Sequence, residues 1–164
     1  MIKEIITRRS IREYGPTSIS ENEIIEIIKA AQFAPTAMNN RSVQFIIIQD
    51  KNMKEQIAEI MNKKEFIKHA PILIIPTIDT TKSIATTQDL SIASAYIQLQ
   101  AVALGLSTVW KHAYPDQIEK VKTLLHIPSE MTFINMIPLG HAKEHKEKHT
   151  DAEFDSIKIH YGKW

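Results

Sequence analysis

Residues 87–110, TQDLSIASAYIQLQAVALGLSTVW, are the stretch that decides the fold. Residues 87–104 predict the longest helix of the chain. Small residues lie on several faces of that helix among larger apolar ones, which predicts close contact with other helices on more than one side. Gly105 suits the helix C-cap, and residues 107–110 predict a short strand. The sequence therefore predicts a long, enclosed helix that runs directly into a strand.

Helices and strands alternate on both sides of this stretch, which indicates an α+β domain. Ser20 and Glu23 fit a capping box, which predicts a helix that begins there and stops before Pro35. Pro76 predicts an edge position or an irregularity in its strand. Further helices are predicted at 2–8, 51–62 and 115–125, and further strands at 44–49, 72–78 and 131–138.

Length and composition fit one globular domain. The chain has 164 residues, of which 43% are hydrophobic and 24% are charged. Its net charge of +1 argues against nucleic-acid or membrane binding as the main task. The absence of Cys excludes disulfides, thiolate metal sites and a Cys nucleophile. Because the N-terminus is charged and no apolar run approaches the roughly 20 residues of a membrane span, we expect a soluble, cytoplasmic protein.

A basic cluster near the N-terminus is the first feature with binding chemistry. Arg8, Arg9, Ser10 and Arg12 place three guanidinium groups and a hydroxyl within five residues. Guanidinium forks match the oxygens of phosphate and carboxylate groups and keep their charge, so the cluster suits a phosphorylated ligand. A solvated basic face is the alternative interpretation.

Two further segments carry groups that suit a planar ring. The polar loop with Thr36 and Asn39 offers an amide donor and acceptor for a ring edge, although Asn is also common in turns. Residues 104–112 combine a Gly, which permits close backbone approach, with Trp110 and His112, which could flank a ring. A helix cap followed by a core strand is the alternative for this second segment.

Three histidines near the C-terminus are spaced by four residues. His141, His145 and His149 would share one face of a helix and could then bind a metal. The segment has no apolar backing and its Glu is misplaced for a zincin, so a solvated tail is the competing interpretation. Lys146 and Lys148 within it could instead join a phosphate site. Neither GxGxxG nor GxxxxGK[ST] occurs, so a Rossmann site and a P-loop are not supported.

Taken in order, segments from Ile5 to Trp164 resemble the nitroreductase family of FMN enzymes. RRSIREY is similar to the family's Arg-Arg-Ser-x-Arg-x-Tyr/Phe signature, and APTAMNNRSVQFIII to its Ala-Pro-Ser-x-x-Asn-x-Gln-Pro-Trp-x-Phe signature. ALGLSTVW resembles the Gly-Leu-Gly-Thr-x-Trp segment, and IPLGHAKE with the later KEK resembles the Gly-Tyr-Pro-x-Glu segment with a basic pair. The chain departs from the pattern at Arg41, Ser42 and Val43, where Gln, Pro and Trp are usual.

The resemblance implies a fold, a cofactor and an assembly. It implies one FMN-binding domain over residues 1–164, an α+β sheet wrapped by helices. Two chains would interlock as a homodimer, with helix 87–104 in the dimer core and residues 154–164 packed on the partner subunit. By resemblance, the FMN-binding residues are Arg8, Arg9, Ser10, Arg12, Thr36, Asn39, Thr108, Val109, Trp110, Lys146 and Lys148.

Roles within this site also follow from the resemblance. Arg8 would bind the flavin phosphate, and Lys146 and Lys148 would complete the phosphate site. Arg12 would lie near N1 and O2 of the flavin, and residues 108–110 would pass one face or edge of the ring. The loop residues Thr36 and Asn39 would reach the flavin of the partner subunit.

The implied activity is electron transfer from NAD(P)H to nitro compounds, quinones or similar small acceptors by ping-pong turnover. The flavin would perform the redox chemistry, so no side chain is assigned as catalytic, and Arg12 would stabilise charge. Two alternatives remain open. One is a non-catalytic FMN-binding protein that stores or senses flavin, and the other is a metal-binding module built on the histidine tail.

Overall fold

An apolar run in the middle of the chain forms the central strand of the structure, a computed structural model that describes all residues from Met1 to Trp164. This strand, β2 (Ile72–Asp79), is buried along its whole length. It pairs antiparallel with β1 (Val43–Ile48) on one side and with β6 (Asn135–Gly140) on the other. The sheet runs in the order β1-β2-β6-β3, where β3 is Ser107–Thr108.

Two short strands extend this sheet. β5 (Met131–Thr132) pairs with the far end of β2, and β4 (Lys111–His112) pairs with β6. The strand predicted over 131–138 is therefore wrong in its extent, because its two halves pair with different parts of the sheet. The strand predicted over 107–110 ends at Thr108, and β4 was not predicted.

Helices cover both faces of the sheet. The helices are α1 (Lys3–Thr7), α2 (Glu21–Gln32), α3 (Lys51–Ile60), α4 (Glu65–His69), α5 (Thr86–Ala103) and α6 (Pro115–Leu125). Alternate residues of β2 point to opposite faces of the sheet. Ile72 and Ile74 pack with α2 and α5, whereas Leu73 and Ile75 pack with α3, α4 and α6. The predicted α+β class is confirmed.

The helix ends follow local signals in the sequence. Ser20 caps α2 through its Oγ, which accepts the backbone N–H of Glu23 at 3.3 Å, while the Glu23 carboxylate accepts the Ser20 N–H at 2.8 Å. This confirms the predicted capping box. Gly105 follows the end of α5 with a φ of 75°, a left-handed conformation that glycine adopts without strain. Helix α4 was not predicted.

Pro76 occupies a central strand rather than an edge. It lies opposite Phe45 of β1. On its other side β2 pairs with β6 only at 72–74 and with β5 only at 78–79. The residue that cannot donate a backbone hydrogen bond thus falls where this ladder is interrupted. The predicted irregularity is confirmed, and the predicted edge position is wrong.

The C-terminal fifteen residues make little contact with the rest of the chain. Residues 150–164 are all exposed to solvent. Their only regular structure is two short 3₁₀ turns. Large apolar side chains are among them, including Phe154 at 68% exposure and Ile157 at 83%. No helix of the structure combines the length and the apolarity needed to span a bilayer.

Candidate functional site

The basic N-terminal segment lies beside strand β3. Arg8 follows the last residue of α1, and the chain then extends. Ser10 forms an isolated parallel bridge with Thr108, and the N–H of Ile11 donates to the Thr108 carbonyl at 3.0 Å. The structure thereby brings the arginine cluster next to the segment that follows α5.

The polar tail after β6 runs along the other side of the same segment. The N–H of Gly15 donates to the His141 carbonyl at 2.9 Å, and the N–H of Lys143 donates to the Glu13 carbonyl at 2.8 Å. Further along, the Arg9 guanidinium donates to the Glu147 carbonyl. Residues 8–15 are therefore held between two segments that are distant from them in the sequence.

Tyr14 anchors this arrangement to the sheet. Its buried hydroxyl donates to the Ile11 carbonyl at 2.6 Å and lies 3.2 Å from the Pro138 carbonyl oxygen of β6. Burial raises the pKa of Tyr14 well above its usual value, so the hydroxyl keeps its proton as a donor. Gly140 makes room for the ring, because a Cβ there would lie 2.8 Å from Tyr14 Cδ1 and 2.7 Å from Pro71 Cδ.

Glu144 and Lys146 fix the backbone of the basic segment. The Glu144 Oε1 accepts the backbone N–H of Arg12 at 2.5 Å and that of Glu13 at 3.3 Å. The bond from the Arg12 backbone is the main reason that the pKa of Glu144 is lowered. Lys146 Nζ donates to the Ser10 carbonyl at 2.5 Å and lies 3.4 Å from Glu144 Oε2. Two contacts of the Lys146 ammonium are thus already made within the protein.

Positive charge remains in excess at this place. Arg8, Arg9, Arg12 and Lys148 make no ion pair with a carboxylate, although Glu144 and Glu147 are close in the fold. Guanidinium and ammonium groups without a carboxylate partner are the donor set that a phosphate requires. The side chains present therefore fit the phosphate end of FMN.

Residues 108–110 differ in what they expose. The Thr108 hydroxyl is buried and lies 3.3 Å from Gln98 Nε2, for which it is the acceptor, and the Val109 side chain is buried as well. Only their backbone atoms can face a ligand, whereas the Trp110 side chain is half-buried. The pattern of residue types did not distinguish these two situations.

The loop with Thr36 and Asn39 lies apart from the basic segment within one chain. None of the hydrogen bonds of residues 36–41 reaches residues 8–12, 108–110 or 144–148. The loop borders a cavity of about 510 Å³ with Arg41 and Val43. Its backbone is left-handed at Met38, Asn39 and Arg41, with φ values of 55°, 52° and 50°. Such conformations are costly for residues other than glycine and are common at functional sites.

A buried carboxylate of helix α5 holds this loop. Asp89 accepts the N–H of Ala37 at 2.9 Å, the Asn40 side-chain amide at 3.1 Å and the Ser83 hydroxyl at 2.7 Å. Burial alone raises the pKa of Asp89, but the bonds from Ala37, Ser83 and Asn40 outweigh burial and hold that pKa below its usual value. Sequence reasoning missed Asp89, because a single acidic residue within a helix carries no local signal of what it holds.

The histidine tail does not form a metal site in the structure. Residues 141–149 form no helix, so the three histidines share no helix face. His145 lies 3.1 Å from Glu147, and His149 lies 2.7 Å from Glu153. No group of three or more His, Cys, Asp or Glu side chains is arranged to hold a metal ion. The helical premise of the metal-binding alternative is therefore wrong.

Known proteins match both the sequence and the fold. A model of the nitroreductase family matches residues 5–64 and 61–141. A candidate NADH dehydrogenase/NAD(P)H nitroreductase of Methanothermobacter thermautotrophicus is 36% identical over 169 residues, which cover 100% of this chain and 87% of that protein. An FMN reductase [NAD(P)H] of Bacillus subtilis is 25% identical, over 90% of this chain and 68% of that protein.

Among solved structures, an FMN-dependent nitroreductase of Clostridium difficile superposes with a TM-score of 0.95. It is 30% identical, and the alignment covers 100% of both chains. A sheet wrapped by helices in this arrangement is thus the fold of both chains, as the resemblance implied.

Proposed function

This chain belongs to the nitroreductase family, and on that premise we propose that it is an FMN-dependent oxidoreductase that uses NAD(P)H. Its acceptors are small molecules such as nitro compounds or quinones. The relatives named as NAD(P)H nitroreductase, FMN reductase and FMN-dependent nitroreductase support this activity.

One observation within the chain carries the proposal. Residues 8–12 and 144–148 lie side by side although they stand near opposite ends of the sequence. The three arginines of residues 8–12 make no ion pair with a carboxylate. A cluster of like charges that the protein does not neutralise is unfavourable unless an anion completes it. The phosphate of FMN is that anion in our proposal.

The basic side chains divide into those that bind and those that support. Arg8, Arg9 and Lys148 face the phosphate, and Lys146 mainly holds the Ser10 carbonyl, with the remaining donor directed to the phosphate. The Ser10 side chain and the backbone of residues 108–109 line the flavin, as does Trp110. The Arg12 side chain has no carboxylate partner, so its charge is available to stabilise negative charge at the N1 and O2 edge of the ring.

The second half of the site comes from a second copy of the chain. Thr36 and Asn39 lie on the far loop and contact the flavin held by the partner subunit. The homodimer forms along α5, and residues 154–164 pack on the partner. The exposure of Phe154, Ile157 and Trp164 supports this, because large apolar side chains gain free energy when a partner removes them from water.

FMN held by these residues would supply the redox chemistry, which is electron transfer from NAD(P)H to the acceptor in ping-pong order. The protein positions the ring and sets the charge around it. The chain has no Cys, and we propose that it works in the reducing cytoplasm.

The visible spectrum of the purified protein tests this function. The proposal expects a yellow protein whose flavin absorption bleaches within seconds of adding NADH or NADPH without oxygen and returns when a nitroaromatic compound is added. A yellow protein that keeps its colour over many minutes with either nucleotide would instead be a binding or storage protein. A colourless protein that takes up no added FMN would contradict both.

A further inference from the structure

The cavity beside the loop of residues 36–41 contains a cation to which the proposed function gives no role. Arg41 lines this cavity of about 510 Å³ together with Phe33, Thr36, Asn39 and Val43. No carboxylate is among the residues that line it. Arg41 is exposed and makes no ion pair anywhere in the structure.

Loop residues hold Arg41 through its backbone N–H and its Nε. The backbone N–H of Arg41 donates to Thr36 Oγ1 at 3.1 Å, and Arg41 Nε donates to Asn39 Oδ1 at 3.1 Å. Both Nη groups make no hydrogen bond to the protein. These are the groups that bind a carboxylate or a phosphate in two-pronged fashion.

The loop conformation is set before any ligand arrives. Left-handed backbone at Met38, Asn39 and Arg41 is unfavourable relative to the same conformation at a glycine. Asp89 offsets this cost through its bonds to Ala37 and Asn40. Because Asp89 is buried and fully engaged, it does not neutralise Arg41. A preset cation loses less conformational entropy on binding than a mobile one.

We propose that Arg41 makes this cavity select electron acceptors that carry an anionic group, a carboxylate above all. The inference rests on the proposed function, since it takes the loop to lie beside the flavin of the partner subunit. Phe33 is 79% exposed at the cavity and supplies an apolar ring surface. An aromatic acid therefore matches both features of the site, the ring through Phe33 and the carboxylate through Arg41.

Arg41 departs from the family signature. Gln is usual at the position of Arg41 in the family signature that the chain resembles. Arg41→Gln therefore removes the charge and retains an amide that can still donate to Asn39. Arg41→Lys keeps the charge but loses the planar fork.

Two acceptors of nearly equal shape test the proposal. 4-Nitrobenzoate is charged and 4-nitrobenzamide is neutral, so the ratio of their kcat/KM values isolates the effect of the carboxylate. Loss of a charge-assisted hydrogen bond is expected to lower this ratio about 10- to 100-fold in Arg41→Gln, mainly through KM for the nitrobenzoate. The ratio for Arg41→Lys should lie between that of the wild type and that of Arg41→Gln. Lys51→Gln, which removes one exposed charge elsewhere, is the control and should keep the wild-type ratio.

Binding without turnover provides a second measurement. Calorimetric titration of the oxidised FMN-loaded protein with each compound should show tighter binding of 4-nitrobenzoate, and this preference should disappear in Arg41→Gln. Equal affinity of the wild type for both compounds would overturn the inference. So would a loss of FMN from Arg41→Gln with an unchanged ratio, because Arg41 would then hold the cofactor.

The two hypotheses fail in different ways. If neither NADH nor NADPH supports reduction of either compound, the proposed function is wrong, and the binding titration still decides whether Arg41 selects anions. If 4-nitrobenzamide is reduced and 4-nitrobenzoate has no advantage in any variant, the function stands and the anion selectivity is wrong.

Discussion

Asp89 Oδ1 accepts the backbone N–H of Ala37 at 2.9 Å, and this bond joins the longest helix to the loop that borders the cavity lined by Arg41. The same carboxylate binds Asn40 and Ser83. One side chain of α5 therefore determines the position of a loop that is 52 residues away in the sequence.

Asp89→Ala is expected to lower the free energy of unfolding by about 2–3 kcal/mol, because it leaves the buried Ser83 hydroxyl and the part-buried donors of Ala37 and Asn40 without an acceptor. Urea denaturation followed by circular dichroism measures this change. Gln88→Ala, at the neighbouring exposed position of α5, is the control and should stay within about 0.5 kcal/mol of the wild type. Equal unfolding midpoints for the two variants would contradict the role of Asp89.

Gly140→Ala should destabilise the protein by roughly 1–3 kcal/mol, since the added Cβ would overlap Pro71 and Tyr14. The comparison variant is Gly15→Ala, where a Cβ would meet only the His141 carbonyl oxygen at an ordinary 3.9 Å. Thermal unfolding of both variants tests the packing of Tyr14. A Gly140→Ala variant as stable as Gly15→Ala would show that the contact can relax at no cost.

Arg8→Ala is expected to weaken FMN binding by at least ~1.5 kcal/mol, more than tenfold, because it removes the charged donor that we propose for the phosphate. Titration of the apoprotein by quenching of FMN fluorescence gives the dissociation constant. Lys3→Ala, which removes an exposed charge from the preceding helix α1, should change that constant little. An unchanged FMN affinity in Arg8→Ala would show that the phosphate lies elsewhere.

Truncation before Phe154 should weaken the proposed dimer, because apolar side chains each contribute about 1.5–3 kcal/mol when a partner buries them. We expect the dimer dissociation constant to rise at least ~100-fold in sedimentation equilibrium. Ile157→Glu in the full-length chain keeps the tail but charges it, and should act in the same direction. A truncated protein that remains an equally stable dimer would rule out a tail that packs on the partner.

The lowered pKa of Asp79 leads us to expect a loss of stability in acid. Hydrogen bonds from Thr81 and Lys82 lower the pKa of its carboxyl from 3.8 to about 2. A carboxyl whose pKa is lower in the folded than in the unfolded protein stabilises the fold at any pH above its pKa in the unfolded protein. This stabilisation is lost as the pH falls through its pKa in the folded protein. The urea midpoint of the wild type should therefore drop between pH 4 and pH 2 by more than that of Asp79→Asn. Parallel pH profiles for the two proteins would exclude this contribution.

Local signals in the sequence predicted most helices well. α6 begins and ends at the predicted residues, and α5 differs by one residue at each end, because caps and periodicity depend on neighbours along the chain. The strands were predicted less well. Their lengths depend on partners elsewhere, so nothing local in residues 131–138 could show that Met131 pairs with Asp79 while Asn135 begins another strand.

The site divides in the same way. The residue types that suit a phosphate, such as Arg8 and Lys148, could be selected from the sequence because their chemistry is in the side chain itself. The contacts that fix the backbone of residues 11–13 could not, since Tyr14 and Glu144 act through backbone atoms of distant segments. The sequence also could not show that the Thr108 hydroxyl is buried and accepts a hydrogen bond from Gln98.

The joining of the two ends of the chain around residues 8–15 has a consequence for biosynthesis. Arg9 contacts Glu147, 138 residues later, so the first segment leaves the ribosome long before its neighbour exists. Domains generally acquire structure while they are being made, but contacts of such long sequence separation form late. Nascent chains that stop short of Glu144 are thus expected to have a nearly complete core and no capacity to retain flavin mononucleotide.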